Sequence, residues 1–266
     1  MKQIAVIGYG AIASYVFDAL NRRDDMALTA VFARPGRADA ARKAAGLQIQ
    51  IANRLCDLNQ QPDLVLDCAG HAGLREYGPS VLRAGIDLIS VSVGALADEK
   101  LLAELQAAAE QGGNRLRMIP GAIGGLDVLA AARLGGLARV TYTGRKPPGA
   151  WTGTPAETAL DLASLTEPAV HFSGNAGDAA RAYPKNANVA AAIALAGIGF
   201  EKTEVELIAD PTQTANRHEV AAEGAFGRFR IEIDGNSLPE NPKSSALTAM
   251  SMVRALDDLQ AVLTIG

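Results

Sequence analysis

At 266 residues, 48% of them hydrophobic, the chain exceeds the common size of one domain and can bury a substantial core. Its formal charge of −4 and sequence pI near 5.5 argue against a nucleic-acid partner, and no uninterrupted apolar run reaches the length of a membrane span. Cys56 and Cys68 form no metal-binding spacing, so no metal site and no disulfide is expected; with a strand in place of a signal peptide at the start, the reading is a cytoplasmic protein with a small-molecule ligand.

The apolar run Ile4 to Ile7 ends in Gly8-Tyr9-Gly10-Ala11-Ile12-Ala13 and passes straight into a helical pattern. This reads as a strand, a phosphate turn and a helix start. Gly8 permits the sharp turn, Gly10 leaves room for a pyrophosphate beside the backbone, and Ala13 lets helix and strand pack closely. The N–H groups that open the helix, at Ala11 and Ile12, then face the anion. A ligand-free tight turn is the plainer reading of Gly-x-Gly-x-x-Ala, but the alternating strands and helices that follow favour a dinucleotide site.

The first helix covers about Ala11 to Arg22, and Ala27 to Ala33 is a second strand. An acid at the end of that strand would bind the ribose of NAD, whereas an arginine suits the 2′-phosphate of NADP. Asp24 and Asp25 precede the strand; Arg34 and Arg37 follow it, as phosphate readers or as solvated loop charges. Strands within 62–70 and 85–94 end in Ala69-Gly70 and Val93-Gly94, at the edge where a parallel sheet binds its ligand. A helix from Asp98 to Gln111 and a strand from Leu116 to Ile119 complete a domain ending near Pro120.

Beyond Pro120 the pattern changes. A helix from Ala122 to Leu134 leads into a strand at Ala138 to Gly144, and Asn188 to Leu195 is a small-residue helix. Strands follow at Glu204 to Asp210, Ala215 to Glu223 and Arg228 to Asp234, and Ser245 to Leu263 is an amphipathic closing helix. The expected architecture is α/β: an N-terminal Rossmann doubly wound parallel sheet in residues 1–120, a C-terminal α+β domain with a mostly antiparallel sheet in residues 121–243, and a helix in residues 244–266 that returns to the first domain.

The three histidines are the candidates for a group that titrates near neutrality. His71 follows a strand of the parallel sheet, lining a cofactor cleft or standing solvated at a helix start. His171, in Val170-His171-Phe172, reads as a surface residue of an edge strand. His218 shares a strand face with Val220 and Ala222 by period-two alternation, which on pattern alone makes it half-buried and structural. In Tyr183-Pro184-Lys185-Asn186-Ala187-Asn188, either asparagine caps the next helix or meets a ligand. Lys185, Lys243, Ser244 and Ser245 are candidates for a substrate carboxylate, with surface roles equally open.

Five stretches together carry a resemblance: Gly8-Tyr9-Gly10-Ala11-Ile12, Ser92-Val93-Gly94-Ala95-Leu96, Gly121-Ala122-Ile123-Gly124-Gly125-Leu126-Asp127, Pro184-Lys185-Asn186-Ala187-Asn188-Val189-Ala190, and His218. The chain resembles the L-aspartate dehydrogenase family, which is related to dihydrodipicolinate reductases. The resemblance implies oxidation of L-aspartate to iminoaspartate with NAD or NADP, hydrolysis to oxaloacetate and ammonia, and the reverse amination. It also implies Ala122 and Asn188 as cofactor contacts, His218 as the active-site residue, a homodimer and a link to NAD biosynthesis. Alternatives are another oxidoreductase of the dihydrodipicolinate reductase or homoserine dehydrogenase type, or a non-catalytic NAD(P)-sensing module. The adjacent histidines of such a reductase are absent, and Cys68, after a first-domain strand, is poorly placed for the thiolate of an acylating aldehyde dehydrogenase.

Overall fold

The computed structural model describes residues 1–184, 186–239 and 241–265, and of Pro242 and Lys243 the backbone alone. The chain divides into two compact units: Met1–Ile119 with Ala249–Thr264 forms one, and Pro120–Thr248 the body of the other.

In the first unit, β1 (Lys2–Ile7), β2 (Met26–Phe32), β3 (Gln50–Ala52), β4 (Leu64–Asp67), β5 (Asp87–Ser90) and β6 (Leu116–Met118) form one parallel sheet, ordered β3-β2-β1-β4-β5-β6. Strand order reverses between β1 and β4, the switch point of a doubly wound Rossmann sheet. Helices α1 (Ala11–Leu20), α2 (Ala38–Ala45), α3 (His71–Arg83) and α4 (Glu99–Gly112) make the crossovers. Ile4 to Ile7 and Leu64 to Asp67 are buried without a break, as strands covered on both faces require. Each such aliphatic side chain contributes roughly 1.5–3 kcal/mol by leaving water.

Two details depart from the sequence reading. The short β3 was not anticipated, because three residues are too few to show alternation. Asp98 is the cap of α4 and not its first residue: its carboxylate accepts from the N–H groups of Lys100 and Leu101.

In the second unit, β7 (Leu137–Lys146), β8 (Ala169–Asn175), β9 (Glu204–Ala209), β10 (Asn216–Gly224) and β11 (Gly227–Gly235) form a sheet ordered β11-β10-β7-β9-β8. Only β7 and β9 pair in parallel, so the sheet is mostly antiparallel. Helices α5 (Leu126–Gly135), α6 (Ala156–Ala159), α7 (Ala176–Ala182) and α8 (Asn188–Ala196) accompany it, with a ribbon of β12 (Ser237–Leu238) and β13 (Asn241–Ser245). Helix α5 starts at Leu126, four residues later than the sequence suggested, because Gly121 and Gly125 hold φ of +70° and +72° and keep the chain in a turn. The closing helix α9 (Ala246–Asp258) stops short of Leu263; its Met252, Ala255 and Leu256 join the core cluster of the first unit with Val16, Phe17 and Leu20.

Candidate active site

The first unit presents its chemistry at the carboxyl ends of β1, β4 and β5. Gly8 has φ +95°, and a Cβ there would lie 2.9 Å from that of Ala69, so the turn after β1 runs directly against the turn after β4. Gly10 is the N-cap of α1, with no side-chain cap and no acidic residue in the first turn. A Cβ on Gly10 would meet nothing within 4 Å, which leaves open space above the N–H groups of Ala11 and Ile12. This glycine cradle fits a dinucleotide pyrophosphate. Gly70, at φ +80°, is the N-cap of α3, His71 opens that helix half-buried, and Gly94 is buried in a short 3-10 turn. Arg34 and Arg37 are exposed just after β2 and make no ion pair among the described residues. Burial pushes the Cys68 thiol up, away from a thiolate nucleophile.

A network the sequence reading missed ties this edge together. The buried Asp67 carboxylate, at the end of β4, accepts from Ser90 Oγ at 2.6 Å, Ser92 Oγ at 2.5 Å and the Ala69 N–H at 3.0 Å. Burial raises its pKa, while the three donors oppose that rise.

The second unit carries its polar groups on one face of the mixed sheet. Alternation along β7 puts Tyr142, Gly144 and Lys146 on that face, all buried, and register sets His218 of β10 opposite Gly144. A Cβ at Gly144 would lie 2.7 Å from Tyr142 Oη, so the absent side chain is the space the tyrosine hydroxyl occupies. That hydroxyl makes a 2.8 Å hydrogen bond with His218 Nδ1. His218 is 4% exposed, fully buried where the sequence suggested half-buried. Desolvation, with a smaller contribution from the Lys146 charge, lowers its pKa to about 3, so the imidazole is neutral at pH 7.

Lys146 and its surroundings were also missed. Its Nζ donates to Asn186 Oδ1 at 3.0 Å and stands 5.1 Å from the Trp151 ring centroid, and burial lowers its pKa to about 8. His171 corrects a second expectation. It lies on the edge strand β8, but its ring packs edge-on against Trp151 at 4.3 Å, and Nδ1 bonds with Tyr183 Oη at 3.1 Å. Among the described residues its Nε2 is buried with no hydrogen-bond partner, and desolvation lowers its pKa to about 4. Neither asparagine caps α8 with its side chain: Ala187 is the N-cap, Asn186 serves Lys146, and Asn188 is the first helical residue.

Ala122 is buried in the turn before α5. Of the carboxylate candidates, Lys185 and the Lys243 side chain lie outside the described residues, Ser244 accepts from Asn241, and Ser245 Oγ is buried with no partner among the described residues. The signal that could have found Lys146 is the alternation itself, which places it in register with Tyr142. The sequence reading ended this strand at Gly144, two residues before Lys146.

Known proteins agree with both halves. Residues 8–118 match the family described as homoserine dehydrogenase, NAD binding domain, and residues 127–259 match the family described as aspartate dehydrogenase, C-terminal. The chain is 57% identical to the L-aspartate dehydrogenase of Ruegeria pomeroyi over 96% of its own length and 91% of the relative's. It is 45% identical to that of Pseudomonas aeruginosa, with 96% and 97% covered. Among solved structures, the aspartate dehydrogenase of Thermotoga maritima superposes with a TM-score of 0.77 at 26% identity, covering all of both chains. A dihydrodipicolinate reductase from Paenisporosarcina, at 14% identity, 97% and 92% coverage and a TM-score of 0.54, shares the fold. The chain belongs to the L-aspartate dehydrogenase family.

Proposed function

We infer that the chain catalyses NAD(P)-dependent oxidation of L-aspartate at its CH–NH2 group, giving iminoaspartate that is hydrolysed to oxaloacetate and ammonia, and that it runs the reverse amination. The bound nicotinamide cofactor supplies the hydride acceptor. Gly8, Gly10, Ala11 and Ile12 would hold its pyrophosphate, Arg34 its 2′-phosphate when NADP is used, and Ala69, Gly70, Gly94, Ala122 and Asn188 the rest. The observation that carries the catalytic assignment is a buried neutral imidazole fixed by Tyr142 on the same sheet face as a buried ammonium.

Oxidation leaves an iminium at the substrate α-carbon, and water must add there. In the tautomer whose Nδ1–H donates to Tyr142 Oη, His218 keeps a lone pair on Nε2. That nitrogen takes a proton from the attacking water and returns it to the departing ammonia. Tyr142 holds the ring in place throughout, and burial raises its own pKa, so its hydroxyl stays protonated. The family resemblance further supports a homodimer in the cytoplasm that feeds NAD biosynthesis.

Following NAD(P)H absorbance across an amino-acid panel tests the reading. L-aspartate should reduce the cofactor while L-lysine, L-alanine and L-homoserine do so poorly. Equal turnover of L-homoserine, or cofactor binding with no turnover of any amino acid, would return the alternatives.

A further inference from the structure

Lys146 is buried, 9% exposed, yet among the described residues its ammonium makes no ion pair. A charge removed from water is normally paired, because an unpaired one forfeits its hydration without return. Among the described residues, the groups brought to it are neutral: Asn186 Oδ1, the Trp151 face, and the rings of His218 on β10 and His171 on β8, both of which feel its charge. An acid is brought close by the pairing of β7 with β9 but is engaged elsewhere. The Asp210 N–H donates to the Lys146 carbonyl, and the Asp210 carboxylate turns to Arg145 Nη1 at 2.9 Å and to the N–H and hydroxyl of Thr212.

A second polar atom in the same cluster has spare capacity. Among the described residues His171 Nε2 is buried with no hydrogen-bond partner, while its Nδ1 is held by Tyr183. An ammonium without a counter-charge and a ring nitrogen without a partner together describe the complement of an anion that also hydrogen-bonds.

We propose that Lys146 is the anchor for one carboxylate of a C4 dicarboxylate substrate, with His171 Nε2 as a second contact to the same ligand. The identity of that substrate as L-aspartate rests on the function inferred above; the anion site rests on the geometry. The Lys146 charge is felt at both histidines and depresses the basicity of each. A carboxylate seated on Lys146 cancels that charge, so His218 becomes a better base when the substrate is in place.

The test uses the whole chain with NADP present and succinate, a C4 dicarboxylate without an amine, as titrant in calorimetry. Wild type should bind succinate. Lys146→Met should weaken binding at least about 30-fold, the scale of a lost charge-assisted contact, and raise KM for L-aspartate more than it lowers kcat, with NADP affinity within about threefold. Lys146→Arg should keep part of the affinity. Without ligand, Lys146→Met should unfold at an equal or higher temperature than wild type, because it removes an unpaired buried charge. Succinate affinity within threefold of wild type in Lys146→Met, or a loss of stability that Lys146→Arg restores with no change in succinate binding, would overturn the proposal. If the Met variant does not fold, wild type decides: titration near pH 8 in two buffers of different ionisation enthalpy should show proton uptake on succinate binding, and its absence overturns the anchor. Succinate binding through Lys146 without L-aspartate oxidation would sink the substrate reading alone. L-aspartate turnover with an unchanged KM in Lys146→Met would sink the anchor alone.

Discussion

Each unit of this protein buries an ionisable group, and the two groups are treated differently. Asp67 in the parallel sheet is given three donors within 3.0 Å, from two serines and a backbone N–H. Lys146 in the mixed sheet is given one amide oxygen and an aromatic face. A buried carboxyl group held by three donors is a rivet: it locks the ends of β4 and β5. A buried charge left short of partners is destabilising on its own, and proteins concentrate such groups where function needs them.

The largest expected effect tests the unsaturated side. His218→Ala should lower kcat by roughly 10²–10⁴-fold with little change in cofactor affinity, since it removes a general base and leaves the Rossmann unit untouched. Steady-state kinetics with a separate cofactor titration checks this, and near-normal kcat in a folded variant would make the cluster structural after all. On the saturated side, Asp67→Ala should cost about 2–4 kcal/mol of stability in denaturant unfolding, because it leaves two hydroxyls and an N–H unpaired in a closed space. Should that variant keep its stability and lose activity instead, the contrast between rivet and site fails.

Arg34→Asp sharpens the first unit's role as a cofactor reader. It should weaken NADP selectively, by about 1–3 kcal/mol, if the exposed guanidinium makes a charge-assisted phosphate contact. Equal losses for NAD and NADP, or none for either, leave Arg34 a solvated loop charge. The smallest effect is thermodynamic. The folded-state pKa values of His218 and His171, about 3 and about 4, lie below an unfolded value near 6.5, so the unfolded chain takes up their protons first. Their contribution to stability is complete above pH 6.5 and is lost as pH falls toward 4. For His218 the slope is up to about 1.4 kcal/mol per pH unit. Asp67, whose pKa is raised, acts in the opposite direction, so the difference between wild type and His218→Gln across this window isolates the histidine. Identical pH slopes in the two proteins would mean that the imidazole is not held neutral by burial.

The centre of the parallel sheet was legible because β1 and β4, buried on both faces, come from apolar runs that lead into glycine and alanine. Ile4 to Gly10 states that grammar in seven residues. The candidate site was harder to read because its members come from five separate segments that meet only in the fold. Nothing local in Thr141 to Lys146 says that Gly144 will sit opposite His218, or that Tyr142 will lie across the gap. His171 misled for a related reason: β8 is indeed an edge, but the Trp151 ring covers the residue from outside the sheet, a contact no alternation pattern encodes. The Asp67 network escaped because a strand-terminal aspartate followed by small residues looks like an ordinary turn.

Trp151 has a practical bearing of its own. It is the single tryptophan of the chain, it is fully buried, its indole N–H is spoken for by the Ile208 carbonyl, and its ring faces both Lys146 and His171. Indole emission responds to nearby charge and to the protonation of a neighbouring imidazole, so the protein carries a built-in optical reporter at this one location. Selective excitation of tryptophan therefore follows events around the ammonium in real time, with no label and no second tryptophan to subtract.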